Sequence, residues 1–319
     1  MVQASAMLKK SRIYVAGTDT LIGAAIFGAL EKAGYSCVTG GALSADSASV
    51  DSYFSENHPE YVFLAAGKSG GIGANQRYPA ELMLDNLVVT CDVIRASHRY
   101  AVKKLLYVAS SCCYPRGCPQ PMRVESLMTA PLEQTNQSYA LAKLAGLELC
   151  RAYRAQSGSD FIAAIPANAY GPGDDFSFDD SHVIAALIRK MHEARISKAG
   201  HVDLWGTGVA EREFIFSADL AEACVFLMNH YSAMAPVNIG AQSQRVTIAE
   251  LAVLIKEAVG YEGEIRFDRT HPDGMPRKIL DSDVLKDLGW QPATDFRAGL
   301  AATYDSFLQI EHGKEIRHV

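Results

Sequence analysis

The stretch Tyr14–Ile26, YVAGTDTLIGAAI, decides the fold. An apolar run ends at Gly17, and Gly23 follows six residues later at the start of a segment with helical spacing. A strand-to-helix turn of this kind directs backbone N–H groups and a helix N-terminus toward a pyrophosphate, and glycines let the ligand come close. Thr20 replaces the middle glycine of the usual motif, but the position after the first strand favours a dinucleotide site over a plain turn.

Similar apolar runs recur through the first 170 residues. They include YVFLAAG at 61–67, KKLLYVASS at 103–111 and DFIAAIPAN at 160–168. Their apolar residues are consecutive rather than alternating, which is typical of strands covered on both faces by helices. We expect an α/β fold with a doubly wound parallel Rossmann sheet, in which ligands bind beyond the carboxyl ends of the strands.

A change of amino-acid composition near Gly171 indicates a second, smaller domain. The segment GPGDDFSFDDSH (171–182) is rich in Gly, Asp and Ser, and strand-helix units return afterwards. We expect residues 1–171 and 213–240 to form the dinucleotide-binding domain, and residues 172–212 and 241–319 to form a substrate domain.

The composition excludes several classes of partner. The formal net charge is -6, and the chain lacks the clustered cationic residues that nucleic-acid binding requires. No apolar run reaches the roughly 18 residues of a membrane span. The seven cysteines are scattered without paired metal spacing, so we expect free thiols, no metal site and a cytoplasmic setting.

Tyr139 and Lys143 lie four residues apart in NQSYALAKLAGLELC (136–150), which places both on one face of a predicted helix. A lysine ammonium near a phenol is expected to lower the tyrosine pKa toward the range useful for proton transfer. Ser110 follows a predicted buried strand and is able to hydrogen-bond the same substrate oxygen. This combination favours a carbonyl-reducing site over an ordinary amphipathic helix.

Longer stretches carry a family resemblance. They are LAAGKSGGIGANQRYPAELMLDN (64–86), KKLLYVASSCCYP (103–115), PANAYGPGDDF (166–176) and HPDGMPRKILDSDVLKDLGW (271–290). With the glycine turn, Ser110, Tyr139 and Lys143 in this order, the chain resembles the sugar-nucleotide branch of the extended short-chain dehydrogenase/reductase family. The resemblance implies an epimerase/reductase that acts on a GDP-linked 4-keto-6-deoxy sugar, as a homodimer.

The resemblance also implies the residues of the site. Cys112 and His182 match the positions that exchange protons beside the sugar ketone, whereas Cys113 is expected to be a packing thiol. The expected catalytic set is therefore Ser110, Cys112, Tyr139, Lys143 and His182. Contacts to the nucleotide sugar are expected from Asn168, His182, Lys190, Trp205, Arg212 and Lys278. Contacts to the cofactor are expected from Gly17, Thr20, Leu21, Ile22, Gly23, Asp46, Ala65, Ala66, Lys68, Asn86, Tyr139, Lys143, Pro166 and Asn168.

Two questions stay open at the level of the sequence. The resemblance implies NADP(H), but the turn carries Thr18-Asp19-Thr20 where the family has an arginine, so NAD(H) is an alternative. The substrate alternatives are a different GDP-4-keto sugar, such as a heptose or a 3,6-dideoxyhexose, with one or no epimerisation. An alternative of another class is a cofactor-binding regulatory protein without turnover.

Overall fold

The computed structural model describes residues 6–41, 47–178, 180–271 and 273–317. The strands are β1 (Ile13–Ala16), β2 (Val38–Gly41), β3 (Tyr61–Leu64), β4 (Lys104–Val108), β5 (Phe161–Pro166), β6 (Asn168–Tyr170), β7 (His201–Trp205), β8 (Glu211–Phe216), β9 (Val237–Ile239), β10 (Arg245–Thr247), β11 (Glu264–Asp268) and β12 (Arg277–Lys278). The helices are α1 (Leu21–Lys32), α2 (Ser47–Asn57), α3 (Ile72–Arg77), α4 (Pro79–Arg99), α5 (Gln137–Ser157), α6 (Val183–Ile196), α7 (Ser217–His230), α8 (Ile248–Val259), α9 (Asp283–Asp287) and α10 (Phe296–Arg317).

The main sheet contains six parallel strands in the order β2-β1-β3-β4-β5-β9. Every residue of β1, β3, β4 and β5 is buried, which requires cover on both faces. Helices α4 and α5 pack against each other, and so do α1 and α7, and these two layers supply that cover. The predicted doubly wound parallel sheet is confirmed.

The strand order reverses at β1, because β2 lies on one side of it and β3 on the other. Two loops leave the carboxyl edge of the sheet at this point. One begins at Gly17, whose N–H donates to Gly41 O at 2.9 Å, and the other at Ala65, whose N–H donates to Ala16 O at 3.0 Å. A crevice at such a reversal is where open α/β sheets bind their ligands.

A second apolar core is built around α6, α8 and α10, and its buried residues run from Tyr170 to Phe307. Strand β8 pairs with β10, β12 and β6, while β7 pairs with β11. Leu280 and Leu285, near the end of the chain, pack instead in the first core, beside the main sheet. The division into two domains at the predicted boundaries stays a prediction.

The described residues contain neither a membrane-spanning helix nor a cluster of metal-binding side chains. No described helix has both the length and the apolar character needed to cross a membrane. Within the same part of the chain, no three His, Cys, Asp or Glu side chains come together as metal ligands do.

Candidate active site

A cleft of about 600 Å³ opens at the carboxyl edge of the main sheet and is also lined by residues of the second core. The predicted residues that line it are Thr20, Leu21, Ile22, Ala65, Ala66, Lys68, Ser110, Cys112, Tyr139, Lys143, Pro166, Asn168, His182, Lys190, Trp205, Arg212 and Lys278. Residues from distant parts of the sequence therefore share one space. Gly17 and Gly23 lie behind its wall, and Asp46 falls outside the described residues.

The glycine turn forms a tight cradle at one end of the cleft. Thr20 begins α1, and its Oγ1 accepts from Gly23 N at 3.0 Å and donates to Gly17 O at 2.8 Å. Gly17 has a φ of +95°, and a Cβ there would lie 2.5 Å from Ala66 Cα. A Cβ at Gly23 would lie 1.9 Å from Gly17 O. With no acidic residue in the first turn of α1, this cradle fits a dinucleotide pyrophosphate.

Asn86 supports the cleft from behind, which corrects its expected contact with the cofactor. The side chain is fully buried, and its Nδ2 donates to Lys68 O at 2.8 Å and to Leu82 O at 2.7 Å. Because a Cβ at Gly67 would lie 2.2 Å from Asn86 Oδ1, the amide fills the space beneath the loop. Asn86 therefore holds the loop that presents Lys68 to the cleft.

The turn after β4 separates the two adjacent thiols. Ser110 begins a short 3-10 turn, and its Oγ accepts from Cys112 N at 3.2 Å. Cys112 then lines the cleft, whereas Cys113 is fully buried with its Sγ 3.9 Å from Ala140 O. Burial raises the pKa of Cys113 to about 12, as expected for a packing thiol.

Tyr139 and Lys143 share the cleft, but the expected effect of the lysine on the tyrosine pKa is wrong. Burial raises the pKa of Tyr139 well above its usual value, and the nearby Cys112 thiolate raises it further. A hydrogen bond with Ser110 lowers this pKa but does not cancel the rise. Lys143 Nζ lies 5.9 Å from the Tyr139 ring centre, and burial lowers the pKa of Lys143 to about 8. Tyr139 is thus a protonated phenol at neutral pH, the form that donates a proton.

Cys112 has the opposite environment. Lys278 Nζ lies 3.3 Å from its Sγ, and Asn136 Nδ2 donates to the same sulfur at 3.1 Å. Burial alone would raise the pKa of Cys112, but the Lys278 charge and the hydrogen bonds from Ser110, Lys278 and Asn136 outweigh it and lower the pKa below the usual value. The site therefore favours the thiolate, which is able to accept a proton.

His182 precedes α6 and faces the cleft. Its Nε2 lies 3.3 Å from Ser69 Oγ. Enclosure by protein and the Lys278 charge lower the pKa of His182, while Asp175 acts in the opposite direction. Lys278 thus acts on both proposed proton carriers, which favours an anionic Cys112 beside a neutral His182.

The far end of the cleft presents two cations and an indole. Arg212 donates through Nη2 to Asp273 O at 3.1 Å, and burial lowers its pKa. Lys190 is half-buried, and its Nζ donates to Asp203 O at 2.7 Å. Trp205 is 56% exposed and stacks on His271 with ring centres 4.2 Å apart, so its indole is not part of the apolar core.

Sequence reasoning missed two residues of this site. Asn136 contacts Cys112, and Ser69 contacts His182. Asn136 lies three residues before Tyr139, at the start of the NQSYALAK segment, so its polar side chain beside the proposed tyrosine was a local signal. The contact between Lys278 and Cys112 had no local signal, because it joins residues 166 positions apart.

The fold agrees with the comparisons with known proteins. Residues 13–240 match the NAD dependent epimerase/dehydratase family, and the chain belongs to this family. GDP-L-fucose synthase 1 of Arabidopsis thaliana is 48% identical over 305 residues, which cover 94% of each chain. The GDP-L-fucose synthase of Escherichia coli is 40% identical and covers 95% of this chain and 98% of its own. The resemblance found in the sequence is confirmed.

Solved structures give the same picture of the fold. A GDP-6-OMe-4-keto-L-xylo-heptose reductase from C. jejuni superposes with a TM-score of 0.89 at 29% identity, covering 96% of this chain and all of its own. A structure named DdhaC has a TM-score of 0.82 at 34% identity and covers 96% of this chain.

Proposed function

We propose that the chain is an epimerase/reductase of the GDP-L-fucose synthase type, acting on GDP-4-keto-6-deoxy-mannose. The observation that carries the proposal is the convergence of Ser110, Cys112, Tyr139 and His182 on one cleft. A reduced nicotinamide dinucleotide, with its pyrophosphate held by the glycine cradle, would supply the hydride for reduction at C4. The chain's own residues supply every proton.

Protons beside a ketone are acidic, so the ring carbons C3 and C5 invert if a base removes a proton from one face and an acid returns one to the other. The Cys112 thiolate, held by Lys278 and Asn136, is the proposed base, and His182, after taking up a proton from solvent, is the proposed acid that returns a proton to the other face. Ser110 orients the ketone oxygen by a hydrogen bond. Tyr139, protonated at neutral pH, then donates its proton to that oxygen when C4 is reduced.

A reductase for another GDP-4-keto sugar is the second candidate, because the heptose reductase superposes closely. The presence of a tuned thiol and an imidazole in the same cleft favours the first candidate, since simple reduction needs neither. The third alternative, a regulatory protein without turnover, gives no reason for the buried Lys143 beside Tyr139.

One experiment separates these candidates. The purified chain is incubated with GDP-4-keto-6-deoxy-mannose in deuterated water, with NADH, with NADPH and without cofactor, and the sugar is followed by mass spectrometry. Deuterium at C3 and C5 with reduction at C4 supports the proposal. Reduction without deuterium supports the reductase, and neither event supports the regulatory protein.

We further propose that the cofactor is NADH rather than NADPH. Asp19 is exposed in the turn. Burial raises the pKa of Tyr14, and the nearby Tyr53 and Asp19 add to this rise, which places Asp19 close to the Tyr14 phenol. The Tyr14 phenol oxygen lies 3.8 Å from where a Cβ on Gly41 would be, so Asp19 is near the end of β2. Residues 13–46 contain one basic residue, Lys32, at the far end of α1. A 2'-phosphate at the end of β2 would meet a carboxylate without a matching cation.

The proposal includes a homodimer in the cytoplasm. Leu84 of α4 and Leu141 of α5 are 60% and 41% exposed on two helices that pack together, which supports association through this face. Unpaired cysteines support a reducing compartment. Light scattering after size-exclusion chromatography measures the mass of the protein in solution, and a monomeric mass would contradict the proposed dimer.

A further inference from the structure

Two segments meet at the rim of the cleft, one from each core. The first runs from Ser69 into α3, and the second is the loop that leads into α6. Gly71 N donates to Asp180 O at 2.8 Å, and Arg77 Nη2 pairs with Asp180 Oδ1 at 2.5 Å. We call Gly71, Arg77 and Asp180 the clasp.

Gly71 is required by the closeness of the two segments and not by its backbone conformation. Its φ of -64° is ordinary for any residue. A Cβ at this position would lie 2.6 Å from Ser181 O, a separation that real Cβ atoms do not tolerate. A side chain at position 71 would therefore push Ser181 away, and His182 is the next residue.

Asn75, which is not part of the clasp, fixes the first segment internally. Asn75 Nδ2 donates to Gly70 O at 2.9 Å and to Gly71 O at 3.0 Å, so the loop before α3 is held from within. On this loop, Ser69 Oγ lies 3.3 Å from His182 Nε2. The His182 imidazole thus contacts the Ser69 segment, and the clasp joins that segment to the loop on which His182 lies.

Arg77 and Asp180 are absent from the wall of the cleft, and their side chains are 43% and 41% exposed. A pair this exposed adds little to global stability. Its effect is instead geometric, because it anchors the chain two residues before His182, where α6 begins.

We propose that Gly71, Arg77 and Asp180 are positioning residues that hold His182 opposite Cys112 for proton exchange. The inference rests on the proposed epimerase function. In the exchange, a ring C–H bond breaks with transfer of the proton to the Cys112 thiolate, and His182, protonated beforehand from solvent, returns a proton to the opposite face, without any net redox change. The clasp makes no contact with the reacting carbons and acts through the placement of His182.

The test compares proton exchange with hydride transfer in the same variants. Exchange is the incorporation of solvent deuterium at C3 and C5 of GDP-4-keto-6-deoxy-mannose. Hydride transfer is measured in reverse, with GDP-L-fucose and oxidised nicotinamide, because oxidation at C4 requires no exchange. His182→Gln first identifies the ring carbon that depends on the imidazole.

In Gly71→Ala we expect exchange at that same carbon to fall by about 10²-fold, because a misplacement of about 1 Å has effects of that size, while reverse hydride transfer changes by less than about threefold. Asp180→Asn and Arg77→Asp should show a smaller loss in the same direction. The double variant Arg77→Asp with Asp180→Arg should recover exchange, because it restores the ion pair with reversed charges.

Gly28→Ala is the matched glycine control, because a Cβ there meets nothing within 4 Å. Glu264→Gln is the matched ion-pair control, since Glu264 and Arg266 form an exposed pair on β11. If Gly71→Ala does not fold, the two charge variants and their double variant still decide the question. Unchanged exchange in the clasp variants, or an equal fall of exchange and hydride transfer, overturns the inference. Absence of exchange in the unaltered protein refutes the proposed function itself.

Discussion

The amine of Lys278 lies 3.3 Å from the sulfur of Cys112, so an ammonium on β12 stabilises a thiolate at the end of β4. The same ammonium also lowers the pKa of His182. One cation thereby favours the proton-poor forms of both groups, a thiolate at Cys112 and, together with burial, a neutral imidazole at His182.

Lys278→Met should raise the pKa of Cys112, because an opposite charge at this distance shifts a pKa by roughly 1–3 units. A thiol with a lowered pKa reacts at lower pH values. Loss of the ammonium should therefore raise the pH at which alkylation of Cys112 begins. The measurement is the rate of Cys112 alkylation by iodoacetamide against pH, followed on its own peptide by mass spectrometry. Lys286→Met is the control, and an identical alkylation profile in both variants would refute the assignment.

Tyr139→Phe should reduce the rate of C4 reduction by about 10²–10⁴-fold, because it removes the only proposed proton donor to the ketone oxygen. Deuterium exchange at C3 and C5 should persist, since Cys112 and His182 remain. Both rates are measured on the same sample. A loss of exchange as large as the loss of reduction would show that the division of labour between phenol and thiol is wrong.

Gly23→Ala should weaken cofactor binding by at least about tenfold, because the added Cβ would lie 1.9 Å from Gly17 O and must distort the turn. Gly28→Ala lies in the same helix with open space around it and should bind the cofactor normally. Fluorescence titration with NADH gives both affinities. Equal affinities in the two variants would argue against a pyrophosphate site at this turn.

Asp19→Arg should favour NADPH, because it replaces a repelling carboxylate by a guanidinium that pairs with phosphate. A charge-assisted hydrogen bond of about 1.5–3 kcal/mol corresponds to a rise of at least about tenfold in the NADPH/NADH ratio of kcat/KM. Glu31→Arg makes the same charge change at the other end of α1 and serves as the control. A preference for NADPH in the unaltered protein would contradict the proposed role of Asp19.

The sequence was informative where function depends on local pattern. Consecutive apolar residues predicted the buried parallel strands, and the spacing of Tyr139 and Lys143 predicted two side chains on one wall of the cleft. The pKa of Tyr139 was predicted in the wrong direction, because it depends on burial that no spacing reveals. Asn86 was misplaced for a related reason, since a buried support and a cleft residue have the same local sequence signature.

Contacts between distant segments lay beyond such reasoning. Lys278 was expected at the sugar nucleotide, and the structure also places it on Cys112, 166 positions away. Asp180 and Arg77 are 103 positions apart, and neither charged residue has a local sequence feature that predicts the pair. Such pairs are created by chain topology, and periodicity carries no information about them.

The late position of β12 has a consequence for a growing chain. A polypeptide that has emerged only as far as β9 already carries Ser110, Tyr139 and Lys143, together with all six strands of the main sheet. It lacks the ammonium that favours the thiolate form of Cys112, because Lys278 is synthesised afterwards. The thiolate form of Cys112 is therefore favoured only after β12 has been synthesised. A product that ends before β12 would contain the glycine cradle but would lack this support for proton exchange at the sugar.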